Sequence, residues 1–332
     1  MIRHFRSRIA PRLAGVFFLL LLAAPVPVDA QVARTRLPSG YERIEQEGWA
    51  WAVPKGSEPP SEMLTERVAK RLAGIRTRLS RPGARPPVLV RTPHRNEFRR
   101  VTVELGGGEP AAWVAALAFS TRGIVVLDAQ RLEAQPLQRT EIIAHELAHV
   151  VMGEVGPRLP RWYHEGVAQW LAGERMKPEW RRLLSRYAAD ESLYRFAEIK
   201  NFPPESQRGT SIFYAQAHAF VLSINERFGE DVHGKILDRV GAGATFDDAF
   251  AEATGVTLES SEDLWWKILA SQHSWLSFAV GGISFFQIVA FLAIIAFLIE
   301  RTRRRRTLAR MAAEEAREWP TAEEPERGET HG

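Results

Sequence analysis

The sequence contains no cysteine in its 332 residues. The chain therefore cannot form a disulfide, bind a metal through thiolate or use a cysteine nucleophile. Any metal site must be built from histidine and carboxylate side chains. Hydrophobic residues make up 45% and charged residues 25% of the chain, which excludes a disordered or fibrous protein and indicates at least one sizeable buried core.

The chain also has little excess of positive over negative charge. The formal net charge is only +4, although the isoelectric point is near 9.5. Much of the basic charge lies in residues 1–30 and in a cluster of arginines between 301 and 306, each beside an apolar run. This placement is typical of a membrane topology signal that also meets anionic lipid headgroups, so we predict no nucleic-acid partner.

Residues 1–30 have the pattern of a secretory signal peptide. Arginines precede an apolar run at 13–24, and the small residues Val28 and Ala30 occupy the positions that a signal peptidase reads. We expect cleavage after Ala30, followed by an N-terminal extension at 31–60. The alternative is an uncleaved N-terminal anchor.

A second apolar run, at 275–299, contains no charged residue. Its length predicts a single transmembrane helix. Arg301 and the arginines at 303–306 follow directly, and positive charge favours the cytoplasmic side. We therefore predict a single-pass protein of the cell membrane, with residues 31–272 extracytoplasmic (periplasmic or on the cell surface). Residues 300–332 would be a cytoplasmic, basic-then-acidic disordered tail.

The region at 61–272 predicts an α+β domain. Ser61 can cap an amphipathic helix with apolar residues at steps of three and four. Four β-rich runs at 88–92, 100–105, 113–119 and 123–129 then predict a small antiparallel sheet, with the last two joined as a hairpin. The rest is mainly helical, with helices predicted at 140–152, 160–172, 178–188, 211–228, 231–240, 245–254 and 259–271.

The clearest chemical signal is HELAH at 145–149. His145 and His149 are four residues apart on a predicted helix, so their imidazoles project from one face and can bind one ion. Glu146 lies about 100° around the helix, near the ion but not on it. Apolar residues flank the motif on both sides, which is untypical of a solvated surface helix.

A third ligand is expected from the next helix, LPRWYHEGVAQWLAG. This segment offers His164 or Glu165. Glu165 lies on a strip of small residues with Ala168 and Ala172 that would let the two helices approach closely, but His164 also lies near Ala168. The geometry alone leaves both candidates open.

The two motifs together resemble a known family. HELAH, followed sixteen residues after its second histidine by the glutamate of WYHEGVAQWL, is similar to the gluzincin clan of metallopeptidases. The resemblance is strongest to bacterial peptidase MA-like domains, whose second motif reads W..EG.A.yl, and it extends over about 61–271. The family often has an acidic residue four positions after the ligand glutamate, where this chain has Gln169.

The resemblance implies a function and a set of roles. One Zn²⁺ would be held by His145, His149 and Glu165, and a zinc-activated water would hydrolyse peptide bonds with Glu146 as general base. Tyr214 is the first candidate for the donor that stabilises the oxyanion, and His218 is the second. The expected partner is a peptide or protein substrate. The alternative is a zinc-binding envelope module that acts in binding or assembly with little or no catalysis. No oligomeric state is predicted.

Overall fold

The computed structural model describes residues 36–82, 86–156, 158–200, 207–281 and 285–318. The signal peptide predicted at 1–30 therefore lies outside the described residues. Within them, five strands form one sheet: β1 Tyr41–Gln46, β2 Trp49–Pro54, β3 Val88–Thr92, β4 Ala116–Phe119 and β5 Ile124–Asp128. The domain is of the α+β class, as predicted.

The helices dominate the chain after the sheet. Those that precede or interrupt it are α1 Glu62–Arg78, α2 Arg95–Glu104 and α3 Ala129–Glu133. Those that follow it are α4 Arg139–Gly153, α5 Arg161–Ala172, α6 Pro178–Ala189, α7 Gln207–Phe228, α8 Val232–Gly241, α9 Phe246–Thr254, α10 Leu258–Gly281 and α11 Phe285–Glu318. Each predicted helix of the domain is present, including α1, which Ser61 caps by accepting the Leu64 N–H.

The sheet is mixed, so the prediction of an antiparallel sheet is only partly right. Its order is β1-β2-β3-β5-β4. The outer pairs β1–β2 and β4–β5 are antiparallel, whereas β2–β3 and β3–β5 are parallel. The predicted hairpin at 113–128 is present as β4 and β5, joined by a 3-10 turn at Ser120–Arg122.

Residues assigned to an N-terminal extension contribute two of the five strands. β1 and β2 form a hairpin whose turn residues Glu47 and Gly48 have φ values of 52° and 70°, as two-residue hairpin turns require. β2 then pairs with β3 through Trp51 and Ala52. The domain therefore begins before residue 61, and its compact unit ends at Ser271.

The run RVTVEL, predicted as a strand, is instead the end of helix α2. Phe98, Val101 and Leu105 recur at helical steps and are buried, whereas Val103 is 55% exposed. The alternation of Val101, Val103 and Leu105 produced the wrong prediction. His94 begins this helix by accepting the Glu97 N–H.

The sheet separates two apolar clusters. On one face, Ala52, Val90 and Val126 pack with Phe98 and other residues of α2. On the other face, the alternating residues of β2, β3 and β5 join the larger cluster with α1, α4 and α5. β5 is therefore buried on both faces, which explains its uninterrupted sequence IVVL.

Helices α10 and α11 differ from the two C-terminal segments that were predicted, a transmembrane helix at 275–299 and a disordered tail at 300–332. Residues 300–318 are helical in α11 rather than disordered, and residues 319–332 lie outside the described residues. The apolar run at 275–299 is divided between α10 and α11, with 282–284 not described. Within the part of the chain that the structure describes, no helix combines the length and apolar character needed to cross a membrane.

Candidate metal centre

Two buried helices bring the predicted ligands together. Every residue of α4 from Ile142 to Met152 is buried, because apolar side chains on both sides of the motif pack against the sheet and α1. His145 and His149 project from one face of α4, and their ring centroids are 4.8 Å apart. α5 packs against α4 and presents Glu165, which is completely buried.

The ligand atoms converge on one point. Glu165 Oε2 lies 3.5 Å from His145 Nε2 and 3.7 Å from His149 Nε2. Among the described residues, these three side chains form a group that could hold a metal ion, with ligand atoms all within 4.8 Å of one another. Two ligands on a tetrahedral zinc ion are separated by about 3.3 Å, so the two distances from Glu165 Oε2 are close to those around zinc.

The polar atoms at this point also indicate an ion. His149 Nε2 and Glu165 Oε2 are buried and have no hydrogen-bond partner among the described residues. Unsatisfied buried polar atoms are costly and rare in folded proteins. A divalent cation bound between them would satisfy both.

Comparison with known proteins agrees with this geometry. Residues 109–271 match the family model of the peptidase MA superfamily. This segment belongs to that superfamily. It contains both helices of the site and the sheet strands β4 and β5. No curated protein matches the chain.

Glu146 of the peptidase MA domain lies beside the ligand group. It is 1% exposed, and its carboxylate accepts a hydrogen bond from the backbone N–H of Ala118 in β4, while Oε2 has no partner among the described residues. Burial raises the pKa of Glu146 to about 7, against the opposing effect of His145. One oxygen is thus fixed by the sheet and the other remains available to a reactant.

Helix α7 carries the two candidate oxyanion donors, and both are buried. Burial, with the nearby charge of Glu165, raises the pKa of Tyr214, and Arg161 opposes the shift through a hydrogen bond to the hydroxyl. Burial lowers the pKa of His218 to about 4, and Glu174 opposes this shift. Tyr214 therefore lies on the Glu165 side of the site and His218 on the Glu174 side.

His164, the other candidate for third ligand, is placed behind His149. Its Nδ1 is 3.5 Å from His149 Nδ1, and the two rings are stacked at 5.7 Å. Burial lowers the pKa of His164 to about 3, so the imidazole is neutral. The structure thus places His164 against the outer edge of a ligand ring and Glu165 at the point of convergence.

Two charged neighbours of the site were not singled out from the sequence. The guanidinium of Arg161, one helical turn before Glu165, lies 3.6 Å from Glu165 Oε1. An arginine four residues before a glutamate is a recognisable helical ion pair, so this contact could have been predicted. Glu174, just beyond α5, accepts a hydrogen bond from His145 Nδ1 at 2.9 Å. No spacing rule indicates that contact, because it depends on how the chain turns at Gly173.

These charges are strongly coupled. Burial alone would lower the pKa of His145, but the neighbouring carboxylates of Glu165 and Glu174 raise it above its usual range. Burial would likewise raise the pKa of Glu165, but its contacts with His145 and His149 hold that pKa well below its usual range. The carboxylates of Glu165 and Glu174 both contact His145, so negative charge surrounds the point where the ligand atoms converge.

Proposed function

We propose that this protein is a zinc-dependent peptidase. The observation that carries the proposal is the convergence of His145 Nε2, His149 Nε2 and Glu165 Oε2 beside the buried carboxylate of Glu146. Membership of residues 109–271 in the peptidase MA superfamily supports it. The substrate class is the peptide bond of a peptide or protein.

Each residue has a role that follows from its position. His145, His149 and Glu165 would hold one zinc ion, which would supply a Lewis acid that activates water and polarises a carbonyl. Glu146 accepts a proton from the attacking water and delivers it to the leaving amine, as its oxygen without a partner allows. Tyr214, and His218 as the alternative, donates a hydrogen bond to the oxygen that becomes negative in the transition state.

The test compares metal content and cleavage in the full-length chain. Wild type should bind one zinc ion and cleave a mixture of unfolded proteins. Glu146→Gln should keep the zinc and lose about 100-fold or more in kcat, because general-base catalysis is removed while the ligands remain. Glu165→Ala should lose the zinc. Glu141→Gln, in the first turn of the same helix, is the matched control and should behave as wild type.

Two results would contradict the proposal in different ways. Absence of zinc from wild type would reject the ligand assignment. Zinc in wild type with cleavage equal in wild type and Glu146→Gln would reject the catalytic role and favour a zinc-binding module that acts in binding or assembly.

We further propose that the peptidase acts outside the cytoplasm, anchored by the apolar run at 275–299. The exposed surface of α11 supports this anchor. Eight large apolar residues between Val289 and Ile299 are 38–64% exposed. An apolar surface of this kind is unfavourable in water and suits a lipid environment. Arg301 and the arginines at 303–306 follow directly, as on the cytoplasmic side of a span.

A further inference from the structure

The carboxylate of Glu174 is held between two side chains. Its Oε1 accepts a hydrogen bond from His145 Nδ1 at 2.9 Å, and its Oε2 accepts one from Gln169 Nε2 at 3.3 Å. The Glu174 side chain is 31% exposed, so it could extend into water. Instead, both oxygens are used at the edge of the metal site.

The turn at the end of α5 fixes Glu174 in this place. Gly173 ends the helix with φ 82°, a left-handed conformation that favours glycine. The Gly173 N–H then bonds to the carbonyl of Trp170, and the Glu174 N–H bonds to the carbonyl of Gln169 at 3.0 Å. The backbone of Glu174 is thereby tied to the residue that its side chain contacts.

The contact determines which nitrogen of His145 faces the metal. A carboxylate accepts hydrogen bonds only, so Nδ1 must carry the hydrogen. Nε2 is then the nitrogen on the side of Glu165 Oε2, 3.5 Å away, where a bound cation would take the place of any proton. A carboxylate in this position fixes the orientation of a ligating imidazole and makes it a stronger ligand.

Gln169 lies on α5 one helical turn after Glu165. Its neutral amide cannot supply negative charge to a ligand histidine. In this chain the amide donates its N–H to Glu174 instead.

We propose that Glu174 is the positioning residue for His145, and that Gln169 orients Glu174 rather than the histidine. The inference rests on the proposed zinc site. It assigns the orientation of a ligand histidine to a residue beyond the end of α5.

The test measures zinc affinity by competition with a chelator in the full-length chain. Glu174→Gln keeps the size of the side chain but removes its charge, and should weaken zinc binding about 10- to 100-fold. The double variant Gln169→Glu/Glu174→Gln returns a carboxylate to position 169 and should recover most of that loss. Glu179→Gln, an exposed glutamate in the first turn of α6, is the control and should bind zinc as wild type does.

A spectroscopic measurement separates positioning from general stability. With Co²⁺ in place of zinc, Glu174→Gln should shift the visible absorption bands, and the double variant should return them toward wild type. If Glu174→Gln does not fold, Glu174→Asp, which keeps the charge on a shorter side chain, should weaken zinc binding to an intermediate degree.

Several outcomes would overturn the inference. One is that Glu174→Gln binds zinc with an affinity within twofold of wild type. If Glu174→Asp has to be used instead, the same result for that variant would count equally. Another is a loss that Gln169→Glu does not recover. Failure of the underlying zinc site is distinguishable, because wild type and Glu165→Ala would then bind zinc equally poorly.

Discussion

Tyr163, His233 and Asn225 form a hydrogen-bond chain in which the tyrosine and the histidine are fully buried. The Tyr163 hydroxyl is 2.8 Å from His233 Nδ1, and His233 Nε2 is 2.7 Å from Asn225 Oδ1. Because the amide oxygen only accepts, Nε2 carries the hydrogen and Nδ1 accepts from the tyrosine. The chain joins α5, α7 and α8 through a neutral imidazole, and it requires that imidazole to stay neutral.

This requirement predicts a dependence of stability on pH. Burial lowers the pKa of His233 to about 3, whereas a histidine in an unfolded chain has a pKa of about 6.5. Between these values the unfolded state binds a proton that the folded state does not. The contribution of neutral His233 to stability is therefore fully present above about pH 6.5 and is lost as the pH falls toward about 3.

The variant His233→Gln tests this expectation. It removes the titrating group and disrupts the hydrogen-bond chain, so the free energy of unfolding at pH 7 should fall by about 1–3 kcal/mol. Denaturant unfolding between pH 7 and pH 4 should then show a shallower loss of stability in the variant than in wild type. An equal slope in both proteins would show that His233 does not carry the effect. His164 and His218, whose pKa values burial also lowers, should maintain part of the slope in both.

Single residues of the site differ in how far the sequence predicts them. His145 and His149 are four residues apart on one helix, so their shared face follows from the spacing, whereas Glu165 was preferred to His164 only through the resemblance to the peptidase MA-like domains. Glu174 is different, because its contact with His145 requires the left-handed turn at Gly173 and the packing of α5 on α4. A local sequence pattern does not contain that tertiary information.

At the scale of elements, the approach of α5 to α7 explains the glycine that follows Glu165. A Cβ atom added at Gly166 would lie 2.5 Å from the carbonyl oxygen of Ala217 and 2.7 Å from Val221 Cγ2. Backbone cannot withdraw as a flexible side chain can, so α7 would have to shift. α7 carries Tyr214 and His218, whereas α5 carries Glu165, so the spacing of the site depends on this contact.

We therefore expect Gly166→Ala to reduce both stability and activity. Overpacking of this kind costs about 1–3 kcal/mol, measurable by denaturant unfolding, and kcat should fall because the donors on α7 move away from Glu165. Gly74→Ala in α1 is the matched control. A Cβ there meets nothing within 4 Å, and alanine should stabilise the helix by about 0.5–1 kcal/mol with activity unchanged. Equal stability of Gly166→Ala and wild type would show that the close approach is not required.

Helix α2 shows where element prediction failed. Val101, Val103 and Leu105 alternate like a strand, but Phe98, Val101 and Leu105 also follow a helical spacing. Burial of the second set and the exposure of Val103 show that the helical pattern prevailed. His94, which caps the helix, is not among the usual capping residues. The local signals were therefore divided, and packing on the sheet decided between them.

At the scale of the whole molecule, sheet topology was the least predictable feature. β4 and β5 are neighbours in sequence, so their hairpin could be predicted from a local turn. The parallel pairing of β2 with β3 and of β3 with β5 joins segments separated by helices α1 and α2. Register along a strand follows from alternation of side chains, but the choice of partner depends on contacts across the fold.

We predict that the apolar part of α11 attaches the complete chain to a membrane. The apolar part of α11 exposes residues on all sides, and a charged side chain at the centre of a span costs about 2.5–3.5 kcal/mol. Wild type should remain with membranes after high-salt and carbonate washes. Leu292→Lys/Ile295→Lys should release much of the protein, whereas Leu308→Lys, beyond the arginine cluster on the same helix, should not.

Protease protection in spheroplasts tests the orientation separately. If the arginines at 301–306 face the cytoplasm, added protease should digest the peptidase domain and spare a tag placed after Gly332. Digestion of the tag with protection of the domain would reverse the topology and place the metal site in the cytoplasm. Recovery of wild type in the soluble fraction would reject the anchor itself, while the geometry of His145, His149 and Glu165 would still support the peptidase proposal, because those ligands belong to the compact unit that ends at Ser271.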